Sequence, residues 1–499
     1  MKSKKGFVIS VTLAFFIWLA TLEAAHAASR AKYVFLFIGD GMASVQINAT
    51  EAYLANKSQR DEVGGENKAQ LLNMSKLSVQ GMCTTFPWNS YITDSAPAAT
   101  ALATGKKTAD GVISMDPTKT VPYTTIAEQA KAAGMKVGVI SSVSIDHATP
   151  ACFYAHEPLR GSYHNIGHQT YASGFDFFGG GGFKAADGAL GNVLVAAQAA
   201  GYVIADTKAE IDALQPGQKA IAINPVLDDL RNDKALFYDI DRAYAVANDS
   251  AQADNHLTLA QFTSRALNLL EKGKKGFFLM VEGGKIDWSC HANDARTTFD
   301  DMVAFDDAIG VALEFMYRHP WDTLIVVTGD HETGGLTIGW AGTAYASYFE
   351  KLENQKISYV EFDKVWTAYK TACGGDSCPA DIDESLKTQI NDLLGLDYTT
   401  LNNFEKLRLE DAYDKSLGRT SPNLPEEDAL LYGSYTPLTV TITHILNNKA
   451  GIGWTSYAHT GVPVPVLAHG FGAPAFNGFY DNTDVARKMA RAMRLTLPD

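Results

Sequence analysis

The chain has 499 residues, 46% hydrophobic and 20% charged, with no low-complexity tract, which excludes a disordered or fibrous protein and leaves room for a large core. A formal charge of -14 excludes nucleic acid or an anionic membrane surface as a general partner, so an anionic ligand would need a local field of bound cations. Five cysteines are too few for a fold that depends on a disulfide framework.

The chain opens on a leader. Lys2, Lys4 and Lys5 precede an apolar stretch from Phe7 to Leu22, and Ala25-His26-Ala27 offers a small-residue cleavage site before Ala28. Residues 1–27 are therefore expected to be a secretory signal rather than an anchor, with residues 28–499 released to the periplasm or beyond. No other segment is long and apolar enough to cross a bilayer, so no membrane partner is expected after cleavage.

Tyr33 to Ile38 reads as a buried strand that ends in Gly39-Asp40-Gly41. The stretch Tyr91-Ile92-Thr93-Asp94-Ser95-Ala96-Pro97 then sets a serine ahead of a small-residue helix. At a helix N-terminus backbone N–H groups and the dipole favour a hydroxyl's conjugate base and equally a phosphate, although a plain N-cap is the ordinary reading of Ser95. No Gly-x-Ser-x-Gly elbow surrounds it, so a metal is the remaining means of activating it. Thr125-Ile126-Ala127-Glu128 fits a capping box for a helix that stops at Gly134, and Met135 to Ile140 is the next strand. Beyond it, His147, Thr149 and Arg160 offer imidazole, hydroxyl and guanidinium groups at the same sheet edge. Arg160 could grip two phosphate oxygens as a fork or form a surface ion pair. Gly179 to Gly182 reads as a tight turn after Phe175 to Phe178, and without a following Gly-Lys-Ser/Thr it is no P-loop.

A second strand of the first kind, Phe277 to Val281, ends in Glu282-Gly283-Gly284 with Asp287 and His291 close behind. Asp294 to Arg318 carries Phe299, Met302, Val303, Ile309, Leu313 and Phe315 at helical spacing, and the third such strand, from Thr323, ends in Gly329-Asp330-His331. One acidic strand end is most simply a helix cap or a solvated loop. Three in one chain point to a shared metal site at the carboxyl edge of a parallel sheet. From 342 to 447 strand signals weaken, helix-like stretches such as Ser385 to Leu394 appear, and Cys373 and Cys378 flank a flexible loop that could close a local bridge. This region is expected to be an insertion, a cap or a subunit contact. Val462 to Leu467 then resumes the main fold, with Pro463 and Pro465 marking an edge or irregular strand. Cys83, Cys152 and Cys290 are expected to be buried thiols, and His156, His164, His168, His256, His319 and His444 packing or surface residues. His469 is expected near the mouth of the site.

Taken in order, Ile38-Gly39-Asp40-Gly41-Met42, Thr93-Asp94-Ser95-Ala96, His147-Ala148-Thr149-Pro150 with Arg160, Val281-Glu282-Gly283 with Asp287 and His291, Asp330-His331 and His459-Thr460-Gly461 resemble an alkaline phosphatase over about 33–341 and again from about 459 onward. The resemblance implies a three-layer α/β/α sandwich around a mostly parallel sheet, and two Zn2+ and one Mg2+ per chain. Asp287, His291 and His459 match the ligands of a first zinc, and Asp40, Asp330 and His331 those of a second. Asp40 also matches a bridge to magnesium, with Thr149 and Glu282. Ser95 matches the nucleophile that attacks phosphate monoesters to form a phosphoserine intermediate, Arg160 the phosphate clamp, and Asp94, His147 and Trp288 their surroundings. His147 and Trp288 together are similar to a pair in marine and cold-adapted bacterial members. An indole cannot hold a phosphate-bound water as an ammonium can, which implies looser phosphate binding and faster release. A phosphodiesterase of the same metal superfamily and a non-catalytic secreted metal-binding protein are the competing readings. The homodimer common among such enzymes is left open by the residues.

Overall fold

The computed structural model describes residues 30–58, 70–229, 232–419 and 423–498. The expected signal peptide lies outside the described residues. Strand β1 (Tyr33–Gly39) has no charged side chain and is buried throughout. Side chains alternate along a strand, so Val34, Leu36 and Ile38 enter one core while Tyr33, Phe35 and Phe37 enter another. A strand buried on both faces needs cover on both, which leads to three layers.

The other strands of the main sheet are β2 (Val79–Thr84), β3 (Lys136–Ser141), β4 (Phe177–Gly180), β5 (Tyr202–Ala205), β6 (Lys219–Ile223), β7 (Phe277–Gly283) and β8 (Thr323–Gly329). Two short ladders come next, β9 (Glu332–Thr333) with β12 (His459–Thr460) and β10 (Thr337–Ile338) with β11 (Ile452–Gly453), and β13 (Val464–Gly470) and β14 (Gly478–Asp481) rejoin the sheet. Among the described residues the sheet has ten strands in the order β14-β2-β13-β8-β1-β7-β3-β4-β6-β5. Only β13 runs against its neighbours.

The helices that bear on the site and its packing are α1 (Ser44–Ser58), α2 (Ser95–Thr104), α3 (Leu259–Leu270), α4 (Lys285–His291), α5 (Ala295–Arg318), α6 (Tyr359–Ala372), α7 (Pro437–Ala450) and α8 (Thr483–Met493). On one face Ala99 and Leu102 of α2 and Val485 and Met489 of α8 join the core that β1 side chains enter. On the other, Phe262 of α3 and Met302, Phe305, Ile309 and Phe315 of α5 do so, and the rings of Phe35, Phe277 and Phe315 pack edge to face. Each such buried phenylalanine contributes roughly 1.5–3 kcal/mol. The Asp294 side chain accepts from Thr297 N and starts α5, and the box of Thr125 with Glu128 starts Ile126–Ala132, as their sequences predict.

The described residues between 342 and 447 form helices and single helical turns. Their core, including Phe362, Trp366, Leu386, Ile390, Tyr413 and Ile442, continues onto Tyr53 of α1 and Phe299 of α5. Cys373 and Cys378 are joined in a disulfide.

Three sequence expectations give way. The strand after the insertion lies inside the sheet, between β2 and β8, not at an edge. Pro465 is tolerated because it stands ahead of the first pair with β8, Val466 with Thr328, and the Thr328 hydroxyl takes up its carbonyl. Gly179 and Gly180 belong to β4 rather than to a turn. A Cβ on Gly180 would stand 1.8 Å from the Ser141 carbonyl oxygen, so close strand approach explains the glycine. His469 pairs with Ile325 near the start of β8, at the end of the sheet away from Asp330, because β13 runs antiparallel.

Candidate active site

The parallel register puts three strand ends at one level. Gly39 of β1 pairs with Gly283 of β7 on one side and with Gly329 of β8 on the other. Asp40, Glu282 and Asp330 therefore leave the sheet side by side, and α4 brings Asp287 and His291 one helical turn apart. β12 pairs with β9 and returns His459 to the same place.

Two groups result. His331 Nε2 lies 3.3 Å from Asp40 Oδ1, 3.2 Å from Asp330 Oδ2 and 3.3 Å from Ser95 Oγ. His291 Nε2 lies 3.2 Å from Asp287 Oδ2 and 3.1 Å from His459 Nε2, which is 3.5 Å from Asp287 Oδ1. The imidazoles of His331 and His459 stack at 3.6 Å and join the groups. Beside them Glu282 faces Thr149 and Asp40, and accepts a 2.5 Å hydrogen bond from Ser141 Oγ.

The backbone decides which imidazole nitrogen faces inward. His291 Nδ1 is 2.5 Å from the Tyr457 carbonyl and His459 Nδ1 is 2.7 Å from the Thr93 carbonyl. A carbonyl only accepts, so both Nδ1 atoms carry hydrogen and both Nε2 atoms face the centre. At His331 the outer partner is a hydroxyl. Thr333 Oγ1 donates to Asp287 Oδ1 at 2.5 Å, which leaves it to accept from His331 Nδ1 at 3.3 Å. Thr333 is thus a site residue that the sequence motifs did not single out. Strand alternation carried the signal, since it lies two positions past His331.

Charge and burial show what the site can hold. Burial raises Asp40 well above the usual carboxylate range, and Asp330, Asp287 and Glu282 raise it further. Burial and Asp287 raise Asp330 in the same way, and burial lifts Glu282 to about 7. For Asp287 burial is outweighed by His291, His459 and His331, which hold it below the usual range, while Asp287 lifts His291 to about 9 against burial. Burial and His459 push His331 well down. Both Asp40 oxygens, Asp330 Oδ2, Glu282 Oε1 and Thr149 Oγ1 are buried without a hydrogen-bond partner. Four converging carboxylates, three of them with orphaned oxygens, fit cations. The imidazole and carboxylate groups suit zinc, and the all-oxygen group of Asp40, Thr149 and Glu282 suits magnesium.

The other expected residues gather beside these groups. Ser95 opens α2, but the cap is Asp94, whose Oδ1 accepts from Ala96 N at 2.7 Å, so the capping explanation for Ser95 falls away. Asp94 Oδ2 accepts from Gly111 N at 2.5 Å and Oδ1 pairs with Arg160 Nη1 at 2.6 Å, which sets the guanidinium beside the start of α2. Arg160 Nη2 reaches His147 Nε2 at 3.4 Å, and the His147 ring meets Trp288 edge on at 5.7 Å. Burial, Arg160 and Lys184 hold His147 well below the usual histidine range, so it is neutral and can accept from Arg160. Cys290 is a buried thiol 3.7 Å from Thr298 Oγ1 and belongs to neither group.

Known proteins resemble this chain over nearly its whole length. The family model of alkaline phosphatase matches residues 31–176 and 197–495. Alkaline phosphatase 3 of Bacillus subtilis (strain 168) is 30% identical over 474 residues, covering 93% of this chain and 90% of its own. The crystal structure of a cold-active alkaline phosphatase from the psychrophile Shewanella sp. is 31% identical and superposes with a TM-score of 0.72 over 94% of this chain and 100% of that one. That of Thermus thermophilus alkaline phosphatase, 25% identical, gives 0.74 over 95% and 93%. With sequence, fold and the converging strand ends in agreement, the chain belongs to the alkaline phosphatase family and is a phosphomonoesterase.

Proposed function

We propose that the protein hydrolyses a broad range of phosphate monoesters through a covalent phosphoserine on Ser95. The observation that carries this reading is a serine hydroxyl, 2% exposed at a helix N-terminus, 3.3 Å from an imidazole nitrogen that also faces two carboxylates. Asp287, His291 and His459 would hold one zinc, Asp40, Asp330 and His331 a second, and Asp40, Thr149 and Glu282 a magnesium. When bound, these cations supply the positive charge that lowers the pKa of a hydroxyl or water and balances charge on the attacking and leaving oxygens.

The remaining roles belong to the chain. The positive end of the α2 dipole favours a negative Ser95 oxygen and the phosphoryl oxygens. Asp94 caps that helix and holds Arg160 beside it, so the guanidinium fork can bind two non-bridging oxygens while Ser95 Oγ attacks in line. The new bond is Oγ to phosphorus, and the bond that breaks is phosphorus to the alcohol oxygen, which leaves and takes up a proton. Water then attacks the phosphoserine, phosphate departs, and Ser95 recovers its proton. Recognition concentrated on the phosphoryl group underlies the breadth of substrates.

Export to the periplasm or beyond belongs to the same reading. It is supported by the leader sequence and by the Cys373–Cys378 disulfide, a bond that persists in oxidising compartments. Among the described residues no helix is long and apolar enough to cross a membrane. A homodimer completes the reading, checked by light scattering.

Hydrolysis of a chromogenic phosphate monoester at alkaline pH, before chelation, after it and after return of zinc and magnesium, tests the reaction class. Acid quenching with labelled substrate tests the intermediate. Label on Ser95 in the native protein and none in Ser95→Ala is expected, and turnover without a labelled protein would refute the covalent route.

A further inference from the structure

Behind Trp288 lies an ion pair closed off from water. Lys285, 1% exposed, places Nζ 2.8 Å from Asp228 Oδ2, and the Asp228 side chain is 4% exposed. The same ammonium stands 3.7 Å from the ring centre of Tyr238 and 5.0 Å from that of Trp288. Burying an ammonium and a carboxylate costs several kcal/mol per ion, and apolar side chains of similar volume often serve stability equally well. Stability alone is thus a weak reason for this pair, whereas its position suggests a stronger one.

Contacts run outward from it without a gap. The indole that meets Lys285 meets the His147 ring at 5.7 Å, His147 Nε2 meets Arg160 Nη2 at 3.4 Å, and Arg160 Nη1 meets Asp94, the cap of the Ser95 helix, at 2.6 Å. Trp288 is also packed among Tyr238, Tyr359 and Val360, the last two on α6. A half-buried indole can turn about two bonds. A cation near the indole and a perpendicular imidazole beside it narrow it to one orientation, since cation–π and edge contacts are directional.

We propose that the Lys285–Asp228 pair is a positioning device for the phosphate clamp, acting on Arg160 through Trp288 and His147. The proposal rests on the reading of Arg160 as the clamp. Lys285 touches neither substrate nor a reacting atom, and its effect is on how tightly the phosphoryl group is held.

The experiment removes both charges together, with Lys285→Met and Asp228→Leu in one variant, so that neither member of the pair is left facing the other's absence. Melting temperature and zinc content are measured first, then inhibition by inorganic phosphate, KM and kcat. The expected result is a protein that folds and binds zinc, with KM and the phosphate inhibition constant raised about tenfold, as for loss of an outer partner at a metal-linked site, and kcat within a factor of about two. Should that variant not fold, Tyr238→Leu, which releases the ammonium from its other aromatic face, carries the same expectation. Arg160→Ala is run in parallel. Unchanged phosphate inhibition there would refute the clamp and the proposal with it. Weakened inhibition in Arg160→Ala beside an unchanged constant in the folded charge-free variant would refute the positioning role alone.

Discussion

Thr333→Val isolates a single hydroxyl at the edge of the site. The side chain is fully buried, valine fills nearly the same volume, and only the hydroxyl is lost. That hydroxyl donates to Asp287 at 2.5 Å and accepts from His331 Nδ1 at 3.3 Å. A hydrogen bond to a charged group is worth about 1.5–3 kcal/mol, and each 1.4 kcal/mol is a factor of ten in affinity. The loss falls on the orientation of both side chains, so zinc affinity should drop about ten- to a hundredfold. Activity measured against buffered free zinc should show the midpoint moved by that factor, while saturating zinc restores most of kcat and Thr333→Ser stays near the parent. A Thr333→Val midpoint that coincides with the parent's would refute the account of how Asp287 and His331 are oriented.

Trp288→Lys places an ammonium where the indole now meets His147, and should strengthen inhibition by inorganic phosphate while lowering kcat, since release then slows. If neither constant moved in steady-state assays, the link between the indole and phosphate release would be lost. At Gly283 a Cβ would stand 2.8 Å from the Phe305 ring, so Gly283→Ala should cost about 1–3 kcal/mol through overpacking beneath Glu282. A urea midpoint equal to the parent's would count against it. Burial raises Asp241 from 3.8 to about 8, with Glu361 adding to the rise and Ser358 and Lys285 opposing it. The folded state thus holds a proton the unfolded chain has released, and this contribution is complete below about pH 4 and lost as pH rises to about 8. Asp241→Asn keeps an acceptor for Ser358 N at 2.7 Å, so its melting temperature should gain on the parent's with rising pH up to about 8 and run parallel above it. A difference constant from pH 5 to 9 would contradict the assignment.

The parts of the site that were legible in the sequence share a local cause. Asp40, Glu282 and Asp330 each follow an unbroken apolar run, and an apolar run that ends in glycine and a carboxylate can be read without its neighbours. The helix from Asp294 was legible through its cap and its spacing. What stayed hidden depends on pairings far apart in the chain. Pro465 reads as the mark of an edge or irregular strand until the register shows it ahead of the first pair with β8, and His469 reads as lying near the site mouth until the direction of β13 carries it to the other end. The carbonyls of Thr93 and Tyr457 orient two histidines, yet a carbonyl leaves no mark on residue identity. Lys285 and Asp228 each look like ordinary surface charges, and only the fold brings them together in the interior.

The level strand ends also bear on how the protein acquires its ions. The donors come from β1, β7, α4, β8 and β12, so the central strands must be in register before a complete ligand set exists. A nascent or threaded chain offers only local pairs, Asp287 with His291 and Asp330 beside His331, each a weak competitor for any metal. Since binding a structured site is coupled to folding, the medium in which the sheet closes, not the one in which the chain is made, decides which metal it first meets. Biogenesis in a copper-rich or zinc-poor surrounding would then leave its record in the occupancy of the finished enzyme.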